Sequence, residues 1–549
     1  MTKKIPTTLW LFLLIACAYI GLRSHTLLAA FPHDEGLFLY GGQAWANGEL
    51  AYRDFWDHKP PATFFFHSIP LRLFPFSIAA VKIHECLWLA LSALLLFALC
   101  RRRFSRAASF LTLAFYIFYT SLPYTIRTGG LTEENALFFV VLSFYLILRK
   151  SEKPLWSALW AGLALGAAVQ FRQTFIFESL FLLGAALHSI RRSNEARFTI
   201  WKPGLALAAG MILPEILVSL YFLIQGAWFD YFEASYLINF FYVGPARPER
   251  ALSEILAIQW TFIRSTGPYL LSPLLAFSVY YWIPKTNRWM LWPLLAAFLG
   301  DACAISLSGE YYEHYYVQAA ASSILLLALF LDGLEQAIRK AWNPSNAASH
   351  RAMSAIFSLL LITITAYPFV SAIKRYESDV RQILQERSQL ESTTGFQQGA
   401  AQAIRDLTDP EDRILLIGRD PNSIYIQSKR YAGSRFYHFT PLWKEKLEGV
   451  ITARHMKAFM QDLSDKRPAI LLIDRRSIQK LLEDSEFMQQ VNDYFEKNYT
   501  ALDEIVEESP EDLWFWYGPR LTFLIRNDKI GAVKDRYARI AKQSDAAGK

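Results

Sequence analysis

The chain has 549 residues, of which 53% are hydrophobic and only 19% are charged, so it carries too little polar surface for a soluble protein of its size. Its net charge of +7 would suit a nucleic-acid-binding protein, but the basic residues concentrate in short loops between apolar runs, which is a membrane-topology pattern. The cysteines lie in or at the ends of apolar runs and indicate no disulfide framework: they are Cys17, Cys86, Cys100 and Cys303.

Apolar runs that fit the width of a bilayer recur from residue 7 to residue 372 and predict about eleven spans. They cover residues 7–27, 78–100, 107–123, 135–149, 155–171, 173–190, 203–225, 266–284, 288–308, 316–335 and 353–372. The first run has a basic start but no small-residue cleavage site followed by a soluble domain, so we expect an uncleaved helix. The predicted fold is a mainly α, polytopic helical bundle.

Charge predicts the orientation of this bundle, because Lys and Arg accumulate on the cytoplasmic side of short loops. With the N-terminus inside, every cytoplasmic loop is basic: 101–106, 149–153, 191–202, 284–288 and 339–351. The outer loops are then 28–77, 125–134, 226–265 and 309–315. An odd number of spans places the C-terminus outside.

The character of the chain changes after about residue 373. A polar helical stretch is followed by short apolar strands, in DRILLIG, AILLIDRR and LTFLIRN, that alternate with helical segments. We therefore predict a membrane domain, 1–372, and a soluble, extracytoplasmic α/β domain, 373–549. The first strand is followed by a single glycine rather than a G-x-G-x-x-G fingerprint, so nucleotide binding is not supported.

The first outer loop, 28–77, holds the most informative residues. Asp34 and Glu35 follow the first span, and Asp57 and Lys59 stand shortly before the second, where Lys59 opens a Lys-Pro-Pro sequence. Carboxylates at the mouth of a membrane helix are costly unless they are paired, hydrated or used. The alternatives are a solvated turn with a helix cap at Asp34 and an interfacial, snorkelling Lys59.

The loop carries an Asp-Glu pair after the first span, then Tyr, a Gly-rich turn and Asp, and finally Lys-Pro-Pro before the second span. This order of motifs resembles that of the bacterial PMT-like glycosyltransferases of glycosyltransferase family 39 and its relatives. These include protein O-mannosyltransferases and the lipid A aminoarabinose transferase. The resemblance implies a GT-C fold and inverting transfer of a sugar from a polyprenyl-phosphate donor. Such chemistry needs a carboxylate base and a cation at the leaving phosphate. By resemblance Asp34 is the base, Glu35 supports it, Lys59 contacts the donor phosphate and Asp57 lies at the substrate.

Two further outer turns continue the resemblance. The turn before residue 135 carries Arg127 and Glu133, and the resemblance places an acidic residue here on the acceptor side of the cavity. The alternative is that Glu133 merely complements a helix N-terminus. Arg172, followed by Gln173, matches a basic position of the family and is a second candidate phosphate ligand, since a planar guanidinium can make two hydrogen bonds to phosphate oxygens.

The last outer turn resembles the GRYxxHYxLQ pattern of these relatives. The matching residues, which the resemblance assigns to substrate or donor phosphate, are Tyr311, His314, Tyr315 and Gln318. Glu310 stands where the pattern has Arg, so the phosphate-binding charge passes to Arg172 or Arg127. His314 either bonds the donor phosphate or sugar or is an interfacial histidine among tyrosines.

Two other classes compete with this hypothesis. A secondary transporter would have internal repeats and mid-membrane charges, whereas the sequence has no repeat and its distinctive charges lie at one face. A lipid-linked sugar polymerase or ligase would leave the Asp34 and Lys59 motifs unexplained. We expect Lys59 and Arg172 to converge with Asp34 on one outer-facing cavity, because an unpaired phosphate is costly in a partly dry site.

The resemblance places the enzyme in a bacterial inner membrane, with its active site and C-terminal domain outside. It leaves the sugar open, and the acceptor could be lipid A, lipopolysaccharide core, another glycolipid, a surface polysaccharide or a protein. No cofactor is required by the sequence. A divalent metal stays open, because Asp34, Glu35 and Glu133 would bind one only if they converge, and no ligand spacing demands it. We expect no nucleic-acid partner.

Overall fold

The structure, a computed structural model, describes residues 7–27, 33–149, 153–192, 201–242, 250–342, 348–386, 393–418, 423–438, 453–474, 486–507 and 521–546. The helices of the first half are α1 (Thr7–Leu22), α2 (His33–Ala46), α3 (Ala62–Leu73), α4 (Ile78–Arg103), α5 (Arg106–Tyr119), α6 (Pro123–Ile126), α7 (Thr132–Leu148), α8 (Pro154–Val169), α9 (Ser179–Arg192), α10 (Lys202–Ile224), α11 (Trp228–Phe232), α12 (Ile238–Tyr242) and α13 (Leu252–Thr266). The later helices are α14 (Ser272–Ser278), α15 (Lys285–Arg288), α16 (Leu291–Ser306), α17 (Ala320–Ala341), α18 (Ala348–Glu386), α19 (Thr393–Leu407), α20 (Ser423–Ser428), α21 (Ala453–Lys466), α22 (Glu486–Asn498), α23 (Leu502–Val506) and α24 (Ile530–Ala546).

Shorter turns and four strands complete the described elements. The 3₁₀ helices are Ser24–Leu27, Gln173–Glu178, Glu313–Ala319 and Asn527–Lys529, and Glu233–Leu237 is a π-helix. The strands are β1 (Ile414–Ile417), β2 (Ile470–Asp474), β3 (Tyr499–Ala501) and β4 (Leu521–Arg526).

The described residues form two compact units, each assembled from separate stretches of sequence. The first unit lies within Met1–Thr26, Lys82–Ile224 and Arg247–Arg381. The second lies within Leu27–Val81, Gln225–Ala246 and Gln382–Lys549. The second unit therefore contains residues of the first outer loop as well as the C-terminal segment. A division into sequence domains at residue 373 stays a prediction.

Five helical stretches among the described residues are long and apolar enough to cross a membrane: Ile78–Arg103, Lys202–Ile224, Lys285–Ser306, Glu313–Ala341 and Ala355–Gln385. Shorter apolar helices are Thr7–Leu22, Arg106–Tyr119 and Pro154–Val169. All of them overlap predicted spans. The total of about eleven spans stays a prediction.

The predicted span at 266–284 is not one continuous helix. Helix α13 ends at Thr266, and the next residue, Gly267, has a φ of +98°, in the region that only glycine adopts without strain. Pro268 follows, and the chain is helical again only from Ser272. The apolar composition of this segment predicted a continuous helix, but glycine and proline end the helix there.

Within the first unit, small residues let α8 and α10 approach closely. A Cβ added at Gly162 or Gly166 would overlap the carbonyl oxygens of Leu207 or Met211 on α10, and one added at Gly210 would overlap the backbone of α8. Glycines at this spacing are typical of helix pairs in membranes, where close backbone packing replaces the hydrophobic driving force. The other faces of α10 expose large apolar side chains such as Leu217, which suits contact with lipid.

The second unit contains a mixed four-stranded sheet in the order β1-β2-β4-β3. β1 pairs with β2 in parallel, while β4 pairs antiparallel with both β2 and β3. The fully buried strand β1 and the alternating pattern of β4 follow the sequence periodicity. Strands therefore lie in the three predicted segments, and β3 is an additional short strand.

Aromatic side chains join α2 to the C-terminal segment inside the second unit. Tyr40 on α2 lies between Tyr425 and Tyr437, with ring centroids 4.7 and 4.6 Å away. Its hydroxyl accepts a hydrogen bond from the backbone N–H of Ala432 at 2.8 Å. All three tyrosines are fully buried. The helix that begins with the Asp-Glu pair is thus held by residues about four hundred positions further along the chain.

A second polar contact fixes the π-helix of this unit. The Oε2 atom of Glu233 lies 2.7 Å from a guanidinium nitrogen of Arg454 and 2.9 Å from Nε2 of His455, both on α21. Burial raises the pKa of Glu233, but His455 and Arg454 outweigh burial and leave that pKa below its usual value. The carboxylate therefore stays ionised and ties Glu233–Leu237 to α21.

Candidate active site

The predicted site residues divide between the two units. Those in the second unit are Asp34, Glu35, Asp57 and Lys59, and those in the first are Arg127, Glu133, Arg172, Tyr311, His314, Tyr315 and Gln318. All lie in described parts of the chain.

The Asp-Glu pair lies in the first turn of α2, where the helix dipole favours negative charge. Glu35 is almost fully buried, whereas Asp34 is partly exposed. The two neighbouring carboxylates therefore have different environments. The solvent-accessible one is Asp34, to which the resemblance gives the role of base.

Backbone contacts on both sides hold the Lys-Pro-Pro segment in place. The N–H of Lys59 donates to Oδ1 of Asp57 at 2.9 Å, and the hydroxyl of Tyr52 donates to the carbonyl of Lys59 at 2.8 Å. Asn239 donates to the carbonyl of His58 at 3.1 Å. Pro60 and Pro61 then restrict the chain where α3 begins. The half-buried Lys59 side chain thus projects from a fixed backbone.

Asp57 is a buried carboxyl group with a raised pKa. Burial raises its pKa to about 6, the nearby charge of Lys59 opposes that shift, and the charge of Asp34 adds to it. The Nε2 atom of His438 lies 3.7 Å from Oδ2 of Asp57. Asp57 is therefore electrostatically linked to both Asp34 and Lys59.

Sequence reasoning missed His438 as a neighbour of this loop. His438 follows Tyr437 at the end of an aromatic run, and Phe436 in the same run packs 6.0 Å from the ring of Trp56. The backbone N–H of Trp56 also bonds the carbonyl of Arg435 at 2.8 Å. The dense aromatic pattern after β1 was a signal for burial, but nothing in the sequence pointed to Asp57 as the neighbour.

In the first unit, Arg172 and Glu133 form an ion pair. The guanidinium donates through Nη1 to Oε1 of Glu133 and through Nε to Thr174 Oγ1 at 3.1 Å. Its Cζ also lies 4.3 Å from the ring centroid of Tyr315, a cation–π distance. Glu133 is almost fully buried, and Thr132 donates to its Oε2 at 2.7 Å. Glu133 is therefore more than a helix-capping charge, because it neutralises and orients Arg172.

The adjacent carboxylate, Glu134, has a different partner. Its Oε1 accepts from Arg23 at 2.7 Å, and Arg23 also donates to the carbonyl of Thr120 at 2.5 Å. Lys82 bonds both oxygens of Glu85, whose Oε2 is 3.9 Å from Arg23. This cluster of two basic and two acidic side chains is buried throughout, and Lys82 also donates to the carbonyl of Gly129 at 3.2 Å, which anchors the turn that carries Arg127.

The remaining predicted residues separate into two places within the first unit. His314 and Tyr315 pack edge to face at 4.7 Å, beside Arg172, while the buried Gln318 bonds Thr174 and Asp301. Arg127 instead approaches Glu313 at 3.6 Å, next to the cavity that Tyr311 lines. Arg127 and Tyr311 thus belong with the cavity, and the other residues belong with the Arg172 pair. Among the residues that the structure describes, no cluster of three or more His, Cys, Asp or Glu could hold a metal ion.

The fold matches two crystal structures of ArnT from Cupriavidus metallidurans. The structure bound to undecaprenyl phosphate aligns with a TM-score of 0.57 at 13% identity, over 94% of this chain and 98% of that one. The apo structure aligns with a TM-score of 0.53 at 14% identity, over 87% of this chain and 95% of that one. The chain therefore shares the fold of these ArnT structures, and five of its described helical stretches are long and apolar enough to cross a membrane.

A family model matches a narrower part of the chain. Residues 58–218 match the family described as dolichyl-phosphate-mannose-protein mannosyltransferase. This match covers less than a third of the chain, and it agrees with the family resemblance of the motifs. The matched stretch contains Lys59, Glu133 and Arg172, whereas Asp34 precedes it and His314 follows it. No curated protein matches the chain.

Proposed function

We propose that this protein is an inverting glycosyltransferase that moves a sugar from a polyprenyl-phosphate donor to an extracytoplasmic glycolipid, glycan or protein. The observation that carries the proposal is the fixed Lys59 segment. It opens the stretch matched by the mannosyltransferase family and stands in the loop that bears Asp34. The ArnT structure with undecaprenyl phosphate supports the class of donor by likeness of fold.

Asp34 is the general base in this proposal. The acceptor hydroxyl gives its proton to Asp34 while its oxygen forms a bond to the anomeric carbon. The bond between that carbon and the phosphate oxygen breaks, and the phosphate leaves with the electron pair. Inversion follows because the attack and the departure occur on opposite faces. Glu35, buried beside Asp34 on the first turn of α2, supports the position of the base.

Lys59 and Arg172 stabilise the donor phosphate in different ways. Lys59 supplies a positive charge from a partly buried position, where electrostatic interactions are stronger than in water. Arg172 is already neutralised by Glu133, so its contribution is directional: its planar fork carries five N–H donors, of which Glu133 and Thr174 use two. His314, close to this pair, is the third proposed donor ligand.

The proposed location is a bacterial inner membrane, with the reaction on the outer face and the C-terminal segment outside. The basic loops predicted to be cytoplasmic support this orientation. Reporter fusions after Lys150 and after Ile373 are expected to report cytoplasm and periplasm, respectively. Finding both reporters on the same side would contradict the odd number of spans.

The donor class is testable without knowing the sugar. Native mass spectrometry of the purified protein with undecaprenyl phosphate is expected to detect a bound lipid that Lys59→Met weakens, because the variant keeps an apolar stem and removes the cation. Arg53→Met is the matched control, since Arg53 is an exposed cation of the same loop that pairs with Asp54. Equal lipid occupancy in wild type and Lys59→Met, or equal losses in both variants, would remove the proposed phosphate role of Lys59.

A further inference from the structure

A hydrogen-bond network in the first unit connects a buried acid, Asp301 on α16, to the proposed phosphate ligand Arg172. Asp301 accepts from Nε2 of Gln318 at 3.2 Å, and the same nitrogen donates to the carbonyl of Thr174 at 3.1 Å. The hydroxyl of Thr174 donates to Oε1 of Gln318 at 2.5 Å and accepts from Nε of Arg172 at 3.1 Å. We call these four residues the Asp301 network. It joins three segments that are distant in sequence.

Close packing brings these segments together. A Cβ added at Gly300 would lie 2.8 Å from Cβ of Phe177, so the absence of a side chain at Gly300 lets α16 approach the 3₁₀ helix Gln173–Glu178. The next residue, Asp301, is fully buried, and Gln318 is almost fully buried. Buried polar groups need hydrogen-bond partners to offset the loss of water. Asp301 and Gln318 therefore depend on the bonds of the network.

Both carboxyl oxygens of Asp301 accept hydrogen bonds. Oδ1 accepts from Gln318, and Oδ2 accepts from the hydroxyl of Ser322 at 2.7 Å. The fully buried carboxyl group of Glu178 lies beside Asp301. Two buried carboxyl groups in contact share a proton, since two ionised carboxylates would repel each other. The shared proton leaves Oδ1 of Asp301 able to accept from Gln318.

The direction of each bond in the network is fixed. The carbonyl of Thr174 and Oδ1 of Asp301 are both acceptors, so the amide nitrogen of Gln318 must face them. The amide oxygen of Gln318 then accepts the only hydroxyl proton of Thr174. A hydroxyl that donates its proton has only lone pairs left for Arg172. The acid at one end of the network thus fixes an acceptor for the Nε–H of Arg172 at the other end.

The guanidinium of Arg172 is held on three sides. Glu133 accepts from Nη1, Thr174 accepts from Nε, and the ring centroid of Tyr315 lies 4.3 Å from Cζ. Two bonds in the plane and one ring against the face fix both the plane of the group and its rotation within that plane. Nη2 of Arg172 has no hydrogen-bond partner in the described part of the chain. Its two N–H groups therefore have fixed directions, which phosphate recognition by arginine requires.

We propose that Asp301, Gln318 and Thr174 are positioning residues, which orient Arg172 for the donor phosphate without touching the substrate. The inference rests on the proposed glycosyltransferase function and on the role it gives to Arg172. Glu133 supplies the opposite charge, and the Asp301 network supplies the orientation. The resemblance assigns Gln318 to substrate or donor phosphate directly, whereas here Gln318 acts through Thr174 and Arg172.

The preference for a phosphate group tests this role, because a damaged fold would weaken the binding of any lipid. Native mass spectrometry of the full-length protein measures the affinities for undecaprenyl phosphate and for undecaprenol, which has the same chain without phosphate. Their ratio is the phosphate preference. Thr174→Val removes the hydroxyl at nearly constant volume and is expected to lower this preference by about fivefold, the equivalent of one hydrogen bond. Thr174→Ser keeps a hydroxyl and is expected to retain the preference.

Thr112→Val is the matched control. Thr112 is fully buried in the same unit, but its hydroxyl donates to the carbonyl of Ala108 within α5, so its loss should leave the phosphate preference unchanged. Gln318→Met interrupts the network and should lower the preference as Thr174→Val does. Asp301→Leu should lower it too, whereas Asp301→Asn keeps an oxygen that accepts from Gln318 and should retain it. Thermal unfolding checks that each variant is folded.

A double-mutant cycle measures whether the effect passes through Arg172. In the background Arg172→Met/Glu133→Gln, where neither charge remains, Thr174→Val is expected to cause no further change in the phosphate preference. A further fivefold loss there would mean that Thr174 acts on the phosphate by itself, and it would overturn the inference. The same conclusion follows if folded Thr174→Val keeps the full preference, if Thr174→Ser loses as much as Thr174→Val, or if Thr112→Val loses as much.

The same measurements distinguish failure of this inference from failure of the proposed function. Suppose the wild type prefers undecaprenyl phosphate, and Arg172→Met/Glu133→Gln lowers that preference while Thr174→Val does not. Only the positioning role is then overturned. A wild type that binds both lipids equally would contradict the proposed donor class and, with it, this inference.

Discussion

Arg172 and Glu133 form an ion pair in which the carboxylate is almost fully buried and the guanidinium lies over the ring of Tyr315. The next residue, Glu134, pairs with Arg23 instead. Two consecutive carboxylates in the first turn of α7 thus have different roles. Glu133 orients a proposed donor ligand, and Glu134 belongs to a buried cluster that fixes the preceding turn.

The ion pair predicts an asymmetric mutational response. Arg172→Met leaves Glu133 buried without its cation and is expected to lower the free energy of unfolding by about 3–5 kcal/mol. The double variant Arg172→Met/Glu133→Gln should recover part of that loss, since neither charge then remains. Denaturant unfolding of the single and double variants in one detergent measures the coupling. Purely additive losses would mean that the pair is not coupled.

The Arg23 cluster predicts a loss of stability. Arg23→Met removes the cation that contacts Glu134 and Glu85, so we expect a loss of about 3–5 kcal/mol in the free energy of unfolding. Arg339→Met is the control, because Arg339 forms an exposed pair with Glu335 and should cost under about 1 kcal/mol. Similar losses in the two variants would contradict a structural role for the buried cluster.

Asp57 predicts a dependence of stability on pH. Its pKa of about 6 in the folded protein lies above the ordinary aspartate pKa of 3.8. Between about pH 3.8 and pH 6 the folded protein therefore binds more protons than the unfolded chain. The stabilising effect of protonated Asp57 is lost as the pH rises through this range. Relative to Asp57→Asn, the wild type should lose about 3 kcal/mol in unfolding free energy between its stable acidic range and neutral pH.

Thermal unfolding of both proteins across this pH range measures the difference. The groups with charges or protons near Asp57 are Asp34, His58, Lys59, Tyr437 and His438. Protonation of His438 beside an ionised Asp57 would produce the opposite trend. A wild type that gains stability over the variant as pH rises would therefore contradict a neutral Asp57 at acidic pH.

Local patterns in the sequence predicted much of the fold. Apolar length identified helices such as α4 and α10, and short apolar runs bounded by polar segments identified β1, β2 and β4. The broken segment after Gly267 was missed because its composition is apolar throughout, whereas backbone conformation at one glycine ends the helix. The three-residue strand β3 is too short to produce a period of its own.

The candidate site was predictable in its motifs but not in its contacts. The sequence singled out Glu133 and Arg172 separately, and only the folded chain pairs them. It could not assign Glu134 to Arg23, which lies 111 positions earlier, or place His438 beside Asp57. Such pairs depend on tertiary packing, and one sequence contains no signal that links their positions.

We propose Asp34 as the base of a sugar transfer to an envelope acceptor. The most direct test of this proposal is mass spectrometry of envelope glycans and glycolipids in a deletion strain complemented with wild type, Asp34→Asn or Asp54→Asn. Asp54 is the matched control, since it lies in the same loop and pairs with the exposed Arg53. Wild type and Asp54→Asn should restore a sugar modification that the deletion strain lacks. Asp34→Asn should fail to restore it at equal expression, because loss of a general base lowers the rate by about 10²–10⁴. Full restoration by Asp34→Asn, or an unchanged envelope in the deletion strain, would contradict the account.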